Sequence, residues 1–252
     1  MLRLTPDSHI GQNIVRWRID VDCDARLKHS RDGFGNIISM LYLQGPVERI
    51  GLSVSGEVLT EDRAGVIVGS MEPLPSTVFT RPTELTASSV LIEELVRGCE
   101  GEDKPLGKAH ALNTAVHELI RCTDGRSTDI RPAAEIVKDA SGCSMDMAHV
   151  LIAASRAAGF PARFVTGYIY RDMPDRAHRQ APHFWAEIDV PGYGWIAFDP
   201  ANDVCPQECY VRVARGLDYR DAAPISGARV GGGHEVLNVG VGVTLSEGQR
   251  QS

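Results

Sequence analysis

Apolar positions in the first third of the chain recur every second residue. Val15, Trp17, Ile19 and Val21 alternate with Arg16, Arg18 and Asp20, and 48–58 alternates again through Ile50, Leu52, Val54 and Val58. That period is what a half-buried β-strand shows. Asp32-Gly33-Phe34-Gly35-Asn36 is a Gly/Asn turn signal, and the apolar run 37–43 after it predicts a strand. A Pro-rich stretch, 71–83, changes the composition and reads as a linker.

The period then becomes helical. Leu91, Leu95 and Val96 share one face over 86–99, and Leu112, Val116, Leu119 and Ile120 do so over 105–121. A third helix is expected around 131–139. The strongest helix pattern runs from Gly142 to Ala158, with Asp146 in its first turn and Gly159 and Pro161 ending it. Strands follow over 162–170, 184–190, 195–198 and, beyond the Gly231-Gly232-Gly233 turn, 236–243. Helices followed by antiparallel strands predict an α+β core behind a small antiparallel β domain. The expected division is 1–82, with or without its first strand, and 83–252, closed by that last strand. A sheet short of an edge strand would invite pairing with a second chain.

Composition narrows the function. The 252 residues carry 26 basic and 33 acidic side chains, a net charge of -7, with no Lys/Arg-rich run. That balance argues against a nucleic acid or an anionic membrane as partner. No apolar segment reaches membrane-spanning length, and residues 1–6 lack a leader's apolar core, so the expectation is a cytoplasmic protein. Six cysteines in a chain this long do not form a disulfide scaffold. Cys205 and Cys209 form the closest pair, but no second pair completes a metal set, and neither metal nor organic cofactor is expected.

Candidate chemistry lies in three segments read together. Gly142-Cys143-Ser144 opens the strong helix, His183-Phe184-Trp185-Ala186-Glu187 opens a strand, and Phe198-Asp199-Pro200 closes the next. A thiol or hydroxyl at a helix start, a histidine and an aspartate supply a nucleophile, its base and the base's orienter. Unpaired helix amides there would also lower a thiol's pKa and cradle an oxyanion. The turn Pro191-Gly192-Tyr193-Gly194 pairs the two strands, which brings His183 and Asp199 to one edge. Trp185, Tyr193 and Trp195 are candidates for an acyl-binding groove. The charged loop 171–180, which holds His178, is a candidate lid. His149 lies about five residues of helix from Ser144, so a structural hydrogen bond is expected of it.

The ordered set resembles the transglutaminase-like superfamily of bacterial papain-type folds. Likeness extends through Gly142-x-x-x-Asp146-x-Ala148-His149, the segment 159–168, His183–Glu187, the segment 192–202, the segment 216–224 and the turn 32–36. The resemblance implies a papain-like core with a β-rich N-terminal region. It also implies a Cys-His-Asp triad that forms an acyl-enzyme from a peptide or protein amide and passes it to an amine or to water. A relative that has lost catalysis and binds a peptide in the same groove is the rival reading. Counting from His149, the family's cysteine position falls on Ser144, with Cys143 one residue earlier and Met145 where glutamine is usual. At about 100° per residue, Cys143 falls inside the helix's apolar stripe and Ser144 at its edge. Thiol chemistry favours the cysteine. Cys143 active, Ser144 active and no covalent chemistry all stay open, while His183 and Asp199 belong to the site in each.

Overall fold

A computed structural model describes residues 1–45, 47–123, 129–171, 182–227 and 237–245. The chain opens with five strands: β1 (Leu2–Thr5), β2 (Gln12–Val21), β3 (Ala25–Arg31), β4 (Ile37–Leu43) and β5 (Leu52–Thr60). They form two antiparallel units, β1-β4-β3 and β2-β5. The turn before β4 is built as its residues suggest. One carboxylate oxygen of Asp32 accepts both the Phe34 and Asn36 amides at 3.0 Å. The alternation of β2 is broken by a register shift between Ile14 and Arg16. A bulge puts two residues against one partner, which leaves Val15 exposed while Trp17 and Ile19 remain half-buried.

The next segment is anchored at two points, not strung as a free linker. Phe79 is fully buried, and Glu72 pairs with Arg163 at 2.6 Å. Four helices follow: α1 (Val90–Gly98), α2 (Pro105–Leu119), α3 (Ala133–Asp139) and α4 (Ser144–Ala157). Two-residue strands β6 (Arg121–Cys122) and β7 (Ser141–Gly142) pair in parallel just before α4. Every residue of α4 from Met145 to Ser155 is buried. It is therefore a central helix covered all round rather than the one-sided helix its apolar stripe suggests.

The closing sheet consists of β8 (Ala162–Ile169), β9 (His183–Val190), β10 (Gly194–Phe198) and β11 (Tyr210–Gly216), in the order β10-β9-β8-β11, every pairing antiparallel. A short helix, α5 (Tyr219–Ala222), packs on β11 and β8. The expected strand over 236–243 is replaced: residues 237–245 form none, and β11 closes the sheet instead. The triple-glycine turn and nearly all of the expected lid loop, including His178, lie outside the described residues.

Successive strand residues face opposite sides. On β9, Ala186, Ile188 and Val190 join the helical core with α4, while Trp185 joins Val165, Ala197 and Tyr210 in a smaller cluster on the other side. The β-rich N-terminal region covers that second side. Gln12 spans the two: its amide nitrogen donates to the Arg212 carbonyl at 2.9 Å, and its side-chain oxygen accepts the Arg212 amide at 2.7 Å.

Candidate active site

The site's helix begins at Ser144, two residues past the Gly142 start the sequence suggests. Asp146, the third residue of α4, accepts the Cys143 amide at 3.0 Å and so supplies half of a capping box. Arg131 holds the approach to α4, donating to Asp146 at 3.3 Å and to the Ser141 carbonyl at 3.0 Å. Gly142 is required by space: a Cβ there would lie 2.6 Å from the Asp146 Cβ. Cys143 is the N-cap, with extended backbone, and is buried in the apolar cluster around α4. Ser144 is the first helical residue and is only half-buried.

His183 and Asp199 are joined, through Nε2 and Oδ2, at 2.6 Å. A carboxylate can only accept, so the ring proton sits on Nε2 and leaves Nδ1 as the basic nitrogen. Tyr210 donates its hydroxyl to the same Oδ2 at 2.7 Å, and Asn202 its amide at 2.6 Å. The other carboxylate oxygen accepts the Ala201 amide at 3.0 Å. Burial alone would raise the Asp199 pKa, but the bonds from His183, Tyr210 and Asn202 win and hold it below the usual carboxylate range. The turn that carries Asn202 is tied to α2. Asp203, in the left-handed conformation at φ 52°, accepts from Asn113 at 2.9 Å and from Thr114 at 3.0 Å.

Of the three aromatic candidates, Trp185 stays beside this pair. Its ring stacks on His183 with centroids 6.3 Å apart and meets Tyr210 edge-on at 5.5 Å. Gly167 makes room for it, since a Cβ there would sit 2.4 Å from the indole. Trp185 is fully buried, so it walls the base rather than presenting a binding face. Trp195 is placed elsewhere, 3.8 Å over the Arg163 guanidinium and edge-on to Phe79. Tyr193 is exposed on the turn between β9 and β10. His149 accepts the Tyr219 amide through Nε2 at 3.1 Å, the structural bond expected of it.

Tyr210 and Asn202 were missed as site residues. The motif after Asp199 contains Asn202, but β11 was not read, because its polar and charged positions hide the period. Among the described residues no hydrogen bond joins the Ser144 hydroxyl to His183, as is common before substrate tightens a site. Also among the described residues, no group of three His, Cys, Asp or Glu could hold a metal ion.

A central helix with a nucleophile-type residue at its start, facing an antiparallel sheet that carries a His–Asp pair, defines a papain-like fold. Comparison agrees. The crystal structure of "a Putative Cysteine Protease from Cytophaga hutchinsonii" matches with TM-score 0.70 and 20% identity, covering 88% of this chain and 77% of that one. Residues 93–200 match the sequence profile of the transglutaminase-like superfamily, and residues 1–59 match that of the bacterial transglutaminase-like N-terminal region. The protein thus has a transglutaminase-like core preceded by a bacterial transglutaminase-like N-terminal region. An uncharacterised Mycobacterium tuberculosis protein, Rv2569c, is 28% identical over 274 residues, covering 97% of this chain and 86% of its own. A protein-glutamine gamma-glutamyltransferase of Pseudomonas aeruginosa is 33% identical over 90 residues, 31% of this chain and 13% of that protein.

Proposed function

We propose that the protein carries out acyl transfer or hydrolysis at a peptide or protein amide, with Ser144 as nucleophile, His183 as base and Asp199 as orienter. One observation carries the reading: His183 Nε2 donates a hydrogen bond to a buried, ionised Asp199, which leaves Nδ1 as the basic nitrogen. The choice of Ser144 rests on the helix start, where Cys143 is buried with its side chain on the Asp146 amide and Ser144 is half-exposed at the first turn. In the step proposed, Ser144 Oγ attacks the amide carbonyl carbon and its proton passes to His183 Nδ1. The tetrahedral oxyanion lies at the N-terminus of α4, whose first amides have no intrahelical partner. His183 then returns the proton to the leaving amine, and an amine or water takes the acyl group from the serine ester. Kinship with the Pseudomonas glutamyltransferase favours an amine acceptor, over the third of the chain it spans.

The burial of Cys143 favours one second reading, a site without a working thiol that binds peptides. Fluorophosphonate labelling followed by peptide mass spectrometry separates them. The expected adduct is on Ser144, lost in Ser144→Ala and His183→Ala and kept in Cys143→Ala. Selective iodoacetamide alkylation of Cys143 with loss of amidase activity would move the nucleophile to the thiol. No adduct at either residue, with peptide binding retained, would leave the binding reading.

A further inference from the structure

We propose that Tyr210 is a positioning residue that sets the proton affinity of His183 by sharing the Asp199 carboxylate oxygen with it. The inference rests on the acyl-transfer reading and concerns how its base is kept available. Three donors converge on Asp199 Oδ2: His183 Nε2 at 2.6 Å, the Tyr210 hydroxyl at 2.7 Å and Asn202 Nδ2 at 2.6 Å. A carboxylate beside a histidine stabilises the imidazolium and pulls the ring's pKa upward. A carboxylate whose charge only the ring drew on would hold the imidazolium most strongly. Each added donor draws charge out of the same oxygen and weakens that pull.

Neutral donors suit this task, because a cation would remove Asp199 from the site altogether. Burial, followed by the charge of Asp199, pushes the Tyr210 phenol upward, so it remains a donor throughout the accessible pH range. Asn202 cannot ionise. It also reaches Tyr210, Nδ2 to the phenolic oxygen at 3.2 Å, so the two donors brace one another. The remaining charged or titratable neighbours are few. Burial raises the Cys209 thiol, which therefore brings no charge near neutrality, and Arg171 contacts Asn202 on its far oxygen at 3.5 Å. Asp203 is taken up by α2, and Cys143 heads α4.

Histidine-selective 15N NMR on the whole protein reads both the tautomer and the pKa without any turnover. Tyr210→Phe is expected to keep the proton on Nε2 and raise the His183 pKa by about half to one unit. Asn202→Ala should move it the same way and carries the test if Tyr210→Phe does not fold. An unchanged or lowered pKa in a folded variant, or a wild-type ring protonated on Nδ1, overturns the proposal. Serine labelling forms the separate arm: its acid limb should move up with the histidine pKa. A wild type that never labels on Ser144 would sink the acyl-transfer reading while the NMR titration still decides the role of Tyr210.

Discussion

Two buried carboxylates stand one on β9 and one at the end of its neighbour β10, and their partners differ in kind. Glu187 on β9 receives Arg163 at 2.6 Å and Arg212 at 2.5 Å, with Arg163 reaching on to Glu72. Asp199, just past β10, receives a histidine, a phenol and a carboxamide. Both are fully buried, and both are held below the usual carboxylate range against burial. Around Glu187 the partners carry permanent charge, which joins the N-terminal segment to the sheet. Around Asp199 the partners are an imidazole and two neutral donors. A guanidinium on Asp199 would have fixed it more firmly and left the base with nothing to act through.

The largest effect should come from the neutral set. Asp199→Asn offers His183 an amide that can donate as well as accept, so the proton is no longer confined to Nε2. Ser144 labelling is expected to slow by about 10³–10⁴-fold, the scale of a wrong tautomer in a serine triad. Labelling within tenfold of wild type would remove Asp199 from the role of orienter.

Glu187→Gln should act on stability instead. It leaves Arg163, Arg212 and Arg215 buried, with Glu72 paired to Arg163 and Arg215 but the Arg212 ion pair lost. Breaking a buried pair on one side costs about 3–5 kcal/mol, to be read by urea denaturation. In the protein that stays folded, the His183 pKa should not move. A shift there would show that the two carboxylates are coupled and end the contrast.

A third region gives a pH signature that belongs to neither. His149 is wholly buried, and burial pushes its pKa down to about 4, with Arg156 and Arg220 adding to the effect against Asp218. The unfolded ring takes up its proton near pH 6.5, before the folded one does. Stability from this group is therefore complete above 6.5 and falls as the pH drops to about 4. The expected loss is about 3 kcal/mol, from the width of that window. Unfolding free energies at pH 7 and 4.5 would show it, and His149→Gln should flatten the slope over that window. An equal slope in the variant would assign the pH dependence to other groups.

The sequence disclosed elements whose burial follows a single period. β4 and β8 to β10 lie within about a residue of where alternation places them, and α1 to α4 begin and end within a turn of their expected limits. Asp32, Asp146, His183 and Asp199 were legible because a turn, a cap or a motif needs those residue types at those points. β11 was not. Arg212 and Arg215 are buried in it, and a charge that finds its partner 25 residues away at Glu187 leaves no periodic trace. The bulge at Val15 was hidden for the opposite reason: its apolar side chain keeps the period while the backbone does not. Tyr210 went unread along with its strand.

Trp195 tests the smallest and most local form of the contrast. Its place in the turn-and-strand motif suggested a groove for substrate, yet its ring covers the guanidinium that anchors Glu187 and Glu72. A cation held over an indole and shielded from water gains about 2 kcal/mol. Trp195→Leu keeps an apolar side chain but removes the ring's negative face. The expected loss is about 1–2 kcal/mol of stability, with Ser144 labelling within twofold of wild type. A stability unchanged in denaturant, combined with weaker labelling, would return Trp195 to the substrate groove. It would also mean that the Arg–Glu side of the sheet contributes to catalysis, which the separation between the two carboxylates denies.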